Sequence, residues 1–272
     1  MGLLTLLLCC VAQDASAFYN SQTGRWLSRD PIEEENGGIN LHCAMGNNPA
    51  NAVDASGLYL AAIDGTDSEK CVEHMQRNSF ALNFYRNFTA PGRAEYWNGP
   101  SLFGGGVLQT VQDVYSHVCG ALRANPTEDI NLIGHSRGGL IAILVAKMLE
   151  QRPCTCGKSE IKFMGLYDAV GMYFWANGDV IPKNVDYVAH ARRNPSVHSR
   201  WAWGNTGTSG GKQYVEQFFW VTHSGAGGDP WGGDHPVLYG HPTITEDHDK
   251  AGSPQVDGWL RDKARQNGIG GI

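Results

Sequence analysis

One run, Ile130-Asn131-Leu132-Ile133-Gly134-His135-Ser136-Arg137-Gly138-Gly139-Leu140, restricts what this chain can fold into more than any other. An apolar stretch of strand character feeds the pattern Gly-x-Ser-x-Gly. Apolar residues then recur at helical spacing, at Leu140, Ile141, Leu144, Val145, Met148 and Leu149. A strand that turns this sharply into a helix leaves no room for side chains beside the serine, which accounts for glycine at 134 and 138. Such a turn exposes the Ser136 hydroxyl and brings it to the first N–H groups of a helix, which lack intrahelical acceptors. Ser136 is therefore the candidate nucleophile, against the plainer reading of a serine in an ordinary glycine-rich turn.

The flanking sequence alternates in the same way. Tyr59 to Ile63 reads as a short buried strand ending at Asp64-Gly65-Thr66, and residues 107–122 place Val111, Val114, Val118 and Leu122 on one helical face. Strand 130–133 leads to a helix over 139–150, and Ile161 to Tyr167 is another apolar strand stopping at Asp168. This pattern predicts an α/β fold, a mostly parallel sheet with helices on both faces. A chain of 272 residues with 42% hydrophobic and 18% charged residues can build that core. The net charge of −6, without a basic cluster, argues against nucleic acid as a partner.

Seven cysteines leave the redox compartment open. Cys154-x-Cys156 lies in a polar loop with no second pair at zinc spacing, so a single local disulfide or free thiols are expected, and no metal or cofactor. Residues 1–17 hold an apolar run from Leu3 to Ala12 and the small residues Ala15-Ser16-Ala17. They read as a signal peptide or as the product of a miscalled start, the run being too short to span a bilayer.

A serine hydroxyl needs a base, and the base needs a carboxylate to fix its tautomer. Asp168 ends a strand at the edge where Ser136 emerges, and the chain order serine, acid, histidine is that of α/β-hydrolases. Its alternative role is a helix cap. Of the later histidines, His223 follows the apolar run Phe218-Phe219-Trp220-Val221-Thr222 and precedes the glycine-rich Ser224 to Gly228. His235, beside Asp234, is the competing base.

Two resemblances follow from ordered motifs. The stretch Tyr19-Asn20-Ser21-Gln22-Thr23-Gly24-Arg25-Trp26-Leu27-Ser28-Arg29-Asp30-Pro31-Ile32, continued by Gly46-Asn47-Asn48-Pro49 and Asp54-Ala55-Ser56-Gly57-Leu58, resembles the core motif of RHS-repeat polymorphic toxins. The resemblance implies Asp30 and Asp54 as an autoproteolytic pair cutting after Leu58; inherited turn structure is the other reading of both. Further on come Asp64-Gly65-Thr66, Gly134-His135-Ser136-Arg137-Gly138-Gly139, Tyr167-Asp168-Ala169-Val170-Gly171, Val188-Ala189-His190-Ala191 and Val221-Thr222-His223-Ser224. Over residues 59–232 this set resembles the α/β-hydrolase domain of type VI secretion phospholipase effectors. The resemblance implies a Ser136-Asp168-His223 triad, and it sets the Asp64-Gly65-Thr66 loop near the oxyanion hole. Backbone N–H groups of Gly65 and Arg137 are the candidate oxyanion donors. The family usually carries an aspartate two residues after the histidine, where this chain has Gly225.

The organisation expected is thus a leader or miscalled start over 1–17, an RHS core segment over 18–58 and an α/β-hydrolase domain over 59–272. The expected activity is hydrolysis of carboxylic esters, foremost lipid or phospholipid acyl esters, by a secreted or delivered toxin effector. That reading brings with it a membrane surface and an immunity protein as partners. Aromatic residues between acid and base (Met172 to Trp175, Trp201, Trp203) would form a lid over the site or simply pack a core. The Arg137 side chain would steer an anionic head group or pair at the protein surface. The alternatives are a small-ester esterase and an inactive toxin remnant acting in binding or assembly.

Overall fold

Apolar runs without polar alternation form strands that are buried on both faces, and here they define the centre of the molecule. The computed structural model describes residues 19–20, 25–26, 57–66, 78–89, 92–101, 105–125, 128–154, 159–171, 180–197, 199, 204–230 and 244–272. The chain divides into two compact units, residues 1–54 and 55–272. In the first, strands β1 (Tyr19–Asn20) and β2 (Arg25–Trp26) pair antiparallel. Asp30 and Asp54 lie outside the described residues, as do residues 1–17, so the proposed leader and the autoproteolytic pair are not described.

The second unit is built on β3 (Leu58–Ile63), β4 (Gly92–Trp97), β5 (Asp129–His135), β6 (Ile161–Tyr167), β8 (Val185–Arg193) and β10 (Gln213–Phe219). These six strands form one sheet in the order β10-β8-β6-β5-β3-β4, and every pairing in it is parallel. A short parallel pair, β7 (Val180–Ile181) with β9 (Ser209–Gly210), stands apart from it. Chain order reverses at β3, which lies between β4 and β5. In open parallel sheets the crevice at the carboxyl ends beside such a reversal is where ligands bind. The loop after β3 starts at Asp64, and Ser136 follows β5, so both lie at that point.

Successive residues of β3 serve opposite faces. Tyr59, Ala61 and Ile63 pack with Val114 and Val118 of α2 (Val107–Ala124) and with Ile141 and Val145 of α3 (Arg137–Gln151). Leu60 and Ala62 pack with Phe84 of α1 (Phe80–Asn87) and with Val256 and Leu260 of α5 (Glu246–Gln266). The α/β-hydrolase fold expected from the sequence is the one observed, a mostly parallel sheet with helices on both faces. Three differences have physical causes. The apolar run at 218–222 is not wholly strand: β10 ends at Phe219, and His223 opens a one-turn helix, α4 (His223–Ala226), capped by Thr222. The glycine-rich segment after it is therefore partly helical. Helix α5 carries few apolar residues and contains Pro254, yet Thr245 caps it, acids fill its first turn and Lys263 and Arg265 its last.

Cys119 and Cys154 form a disulfide that ties α2 to the segment after α3, 35 residues apart in the chain. This is a tertiary link rather than a Cys154–Cys156 bridge. Closing a loop of that length restricts the unfolded chain and contributes about 3–4 kcal/mol on an entropic account. Cys119→Ser should lower the thermal midpoint accordingly, and added reductant should lower the wild-type midpoint but not that of the variant; a wild-type midpoint indifferent to reductant would contradict the bridge.

Candidate active site

The turn at Ser136 follows from close backbone approach. A Cβ at Gly134 would lie 2.6 Å from the backbone of Gly138, and one at Gly138 would lie 2.2 Å from the Ile63 carbonyl oxygen. No side chain fits at either place. Ser136 itself adopts φ 56° and ψ −123°, a conformation costing about 1–3 kcal/mol for a residue with a Cβ. The surroundings hold it there: Ser136 N donates to Tyr167 O, and its carbonyl accepts from Gly139 and Val170.

Three side chains meet at the carboxyl edge of the sheet. His223 Nε2 lies 2.8 Å from Ser136 Oγ, and His223 Nδ1 lies 2.6 Å from Asp168 Oδ2. All three residues are buried. A carboxylate only accepts, so the Nδ1 proton belongs to this contact and the Nε2 lone pair is left to face the serine hydroxyl. Asp168 follows β6 with φ 43°, and residues 169–171 after it are not helical, so it caps no helix there. The competing His235, with His198 and the aromatic residues 172–175, 201 and 203, lies outside the described residues. His190 is placed elsewhere: its Nε2 accepts from Ala169 N, and Nδ1 donates to the Gly207 carbonyl.

Burial works against charge on both members of the Asp168–His223 pair. It would raise the carboxyl pKa, but the Arg193 guanidinium and then His223 outweigh it and hold Asp168 well below the usual carboxylate range. For His223, burial pushes the imidazole down to about 4; Asp168 opposes this, while His135 and Arg193 add to it. His190 is likewise pushed down to about 4, chiefly by burial.

The Asp64-Gly65 loop lies against the nucleophile, since a Cβ at Gly65 would sit 3.1 Å from the Ser136 Cβ. The Gly65 N–H, expected to face an oxyanion, donates to Asp64 Oδ1 at 2.7 Å. Asp64 Oδ2 accepts from Ser79 Oγ and Tyr96 Oη (2.5 and 2.8 Å), and His135 Nδ1 is 3.6 Å from Oδ1. The His135 contact and the donors around it keep Asp64 ionised below its ordinary range despite burial. Arg137 begins α3, and its side chain meets neither expectation, the surface ion pair or the head-group guide. It is fully buried, with Nη1 donating to the Ser101 carbonyl at 2.9 Å, and so anchors the segment after β4.

Apart from Arg193 of β8, whose guanidinium meets both Asp168 and His223, the residues missed by sequence reasoning come from α5. Asp249 Oδ1 accepts from Thr222 N (2.7 Å) and Oδ2 from Thr222 Oγ1 (2.6 Å), while Ser253 Oγ donates to the Gly225 carbonyl (2.6 Å). Asp257 accepts from Tyr167 Oη at 2.7 Å, one residue before Asp168. Spaced by four, these side chains share one helical face and grip both the histidine turn and the acid's strand. A Cβ at Gly225 would stand 2.2 Å from Asp249 Oδ1. Helix α5 thus delivers a carboxylate into the space that glycine leaves at position 225. The i, i+4, i+8 polar spacing was visible in the sequence, but nothing local connects it to His223.

Among the described residues, no group of three or more His, Cys, Asp or Glu side chains is placed to hold a metal ion, and no helix is long and apolar enough to cross a membrane. No family model matches this chain, and no curated protein does. Similar solved structures include the Tle1 effector bound to the VgrG spike of the type 6 secretion system (14% identity, 65% of this chain and 51% of that one, TM-score 0.38). Human thioesterase 2 (9% identity, 80% and 100%, TM-score 0.39) and a cutinase-like protein from Cryptococcus (15% identity, 48% and 62%, TM-score 0.31) are also similar. The match spans about half of the effector's length. At these values the likeness is distant, and what the site can do is read from its own atoms.

Two outcomes are expected. Gly225→Ala should destabilise the fold by about 1–3 kcal/mol through overlap with Asp249. Adding Asp249→Ala should cost less than the sum of the two single changes, read by denaturant titration; strict additivity would remove the contact from the account. Both buried imidazoles are held neutral in the fold, whereas the unfolded chain protonates them near pH 6.5. Stability should therefore be full above that value and fall as pH drops from about 6.5 toward 4, by up to about 2 kcal/mol per ring at pH 5. Chemical unfolding at neutral and mildly acidic pH measures the slope, and a pH-independent stability in that window would contradict it.

Proposed function

We propose that this chain is a serine hydrolase of carboxylic esters, with Ser136 as nucleophile, His223 as general base and Asp168 as the group orienting it. The observation that carries this reading is the continuous chain of contacts, 2.8 Å from Ser136 Oγ to His223 Nε2 and 2.6 Å from His223 Nδ1 to Asp168, at the switch point of a parallel sheet. Ser136 Oγ attacks the acyl carbonyl carbon as its proton passes to Nε2, and the carbonyl electrons move to oxygen. Collapse of that oxyanion expels the alcohol, which takes the proton from Nε2. Water then repeats the sequence on the acyl-serine and releases the acid. The N–H of Arg137, opening the helix after the nucleophile, is the first oxyanion donor; that of Gly65 joins once Asp64 Oδ1 releases it.

Lipid or phospholipid acyl esters are the substrates this reading favours. The effector-like motif set supports that choice. So do Phe218 and Trp220, exposed by 41% and 44% around the carboxyl end of β10, the sheet end that also carries Ser136. The Trp220 indole, an apolar ring with one N–H, suits a lipid–water boundary, and the Phe218 ring adds exposed apolar surface. The Cys119–Cys154 bridge suits an oxidising compartment and thus a secreted or delivered protein. With the RHS-like segment ahead of the domain, we read the whole as a toxin effector, which calls for an immunity protein as partner.

A fluorophosphonate probe should label Ser136 in the folded protein. Ser136→Ala, Asp168→Ala and His223→Ala should each lower kcat/KM on esters by about 10³-fold or more, with circular dichroism unchanged. Folded protein without label at Ser136 sinks the reading. Full activity in His223→Ala with loss in His235→Ala would move the base. A panel of phospholipids and soluble esters, scored by kcat/KM, separates a lipase from a small-ester esterase.

A further inference from the structure

Arg193 ends β8 and has no part in the reaction as derived, yet it touches two groups that do. Its Nη1 donates to Asp168 Oδ2, the oxygen that also accepts from His223 Nδ1, and lies 3.1 Å from Nδ1 itself. Two donors do not bond each other, so both direct hydrogens at the shared oxygen. Asp168 Oδ1 accepts the backbone N–H of Arg193 at 3.2 Å. The Arg193 side chain is almost wholly buried, so solvent screens its charge weakly.

We propose that Arg193 is a positioning residue that keeps Asp168 ionised and weakens the basicity of His223, so that the hydrolase stays active in acidic surroundings. The inference rests on Ser136, Asp168 and His223 acting as proposed above. In an ordinary triad one carboxylate faces one imidazole, and its charge stabilises the imidazolium. Here a permanent cation already matches the carboxylate, and a second positive charge arriving at Nδ1 would be repelled across about 3 Å. The imidazole accordingly remains neutral, and able to take the serine proton, at pH values where a free histidine with a pKa of about 6.5 is protonated. The His223 pKa is depressed chiefly by burial, and His135 and then Arg193 push it further in the same direction.

The other charged or titratable groups around the ring fit this picture. The His135 ring on β5 lies 5.3 Å from the His223 ring, and Asp64 lies 3.6 Å behind it. Asp249 of α5 directs both oxygens at Thr222. His190 on β8 stays neutral and bonded to the backbone of residues 169 and 207. Arg193 supplies the permanent positive charge in contact with the ring.

The test is the pH profile of ester kcat/KM and of Ser136 labelling by a fluorophosphonate, from about pH 4 to pH 8, for wild type, Arg193→Met and Arg193→Lys. Wild type should keep its rate to well below pH 6. In Arg193→Met the acidic limb should move up by about one pH unit or more, while the rate above about pH 8 stays within several-fold of wild type. Arg193→Lys, which retains the charge, should keep the limb low. A limb unmoved in Arg193→Met overturns the proposal, as does an equal loss of rate at every pH, which marks a merely structural arginine. If Arg193→Met fails to fold, Arg193→Gln, which offers Asp168 a donor without the charge, is judged by the same limb. Wild-type protein that is folded but never labelled overturns the triad itself and the proposal with it, a result distinct from a labelled enzyme whose limb does not shift.

Discussion

A carboxylate enclosed by a sheet and its loops must be paired, or the fold cannot hold it charged. Asp168 is fully buried, and three contacts answer that demand: the imidazole of His223, the guanidinium of Arg193 and the Arg193 backbone N–H. The partners come from the end of β8 and from the turn after β10. Satisfying one buried charge therefore fixes the mutual positions of β6, β8 and the histidine turn. The Ser136–His223 contact is a consequence of that arrangement.

A second constraint is steric. The elbow requires that backbone pass backbone at distances no side chain permits, with Gly138 against Ile63 and Asp64 and Gly134 against Gly138. This contact joins α3 to β3 across the switch point and sets the Asp64-Gly65 loop beside the serine. The strained φ of Ser136 survives because its N–H is engaged by the end of β6 and its carbonyl by Gly139 of α3 and by Val170. Strain, close approach and buried charge are concentrated within a few residues, where chemistry needs groups held still.

Helix α5 gives the site its rear support. Its apolar residues Val256, Leu260 and Ala264 cover the sheet, while Asp249, Ser253 and Asp257 reach the turn and strand that bear the histidine and the acid. One amphipathic element thus couples core packing to alignment of the site. Changes on α5 that touch neither Ser136 nor His223 can still displace the base, because Thr222 caps the histidine turn only while Asp249 holds it.

What the sequence by itself determined was what periodicity and local sterics encode. The buried strands at 59–63, 130–133 and 161–167, the helices over 107–122 and 139–150 and the glycines around Ser136 follow from rules acting within a few residues. Strand β4, with Arg93 and Glu95, and β8, with Asp186, His190 and Arg193, carry polar residues that mask the strand pattern. Helix α5, with Gly252, Pro254 and Gly258, reads as loop. Strand β8 forms because β6 and β10 flank it, β4 because β3 pairs with it at the sheet edge, and α5 because its few apolar residues pack on the sheet, and no short window contains those partners. Tertiary structure alone decided that Cys119 reaches Cys154, that Asp249 fills the space over Gly225, that Arg137 turns inward to Ser101, and that Arg193 shares an oxygen with the imidazole. Each is a contact between residues far apart in the chain, and its energy depends on where the backbone places them rather than on what stands beside them in sequence.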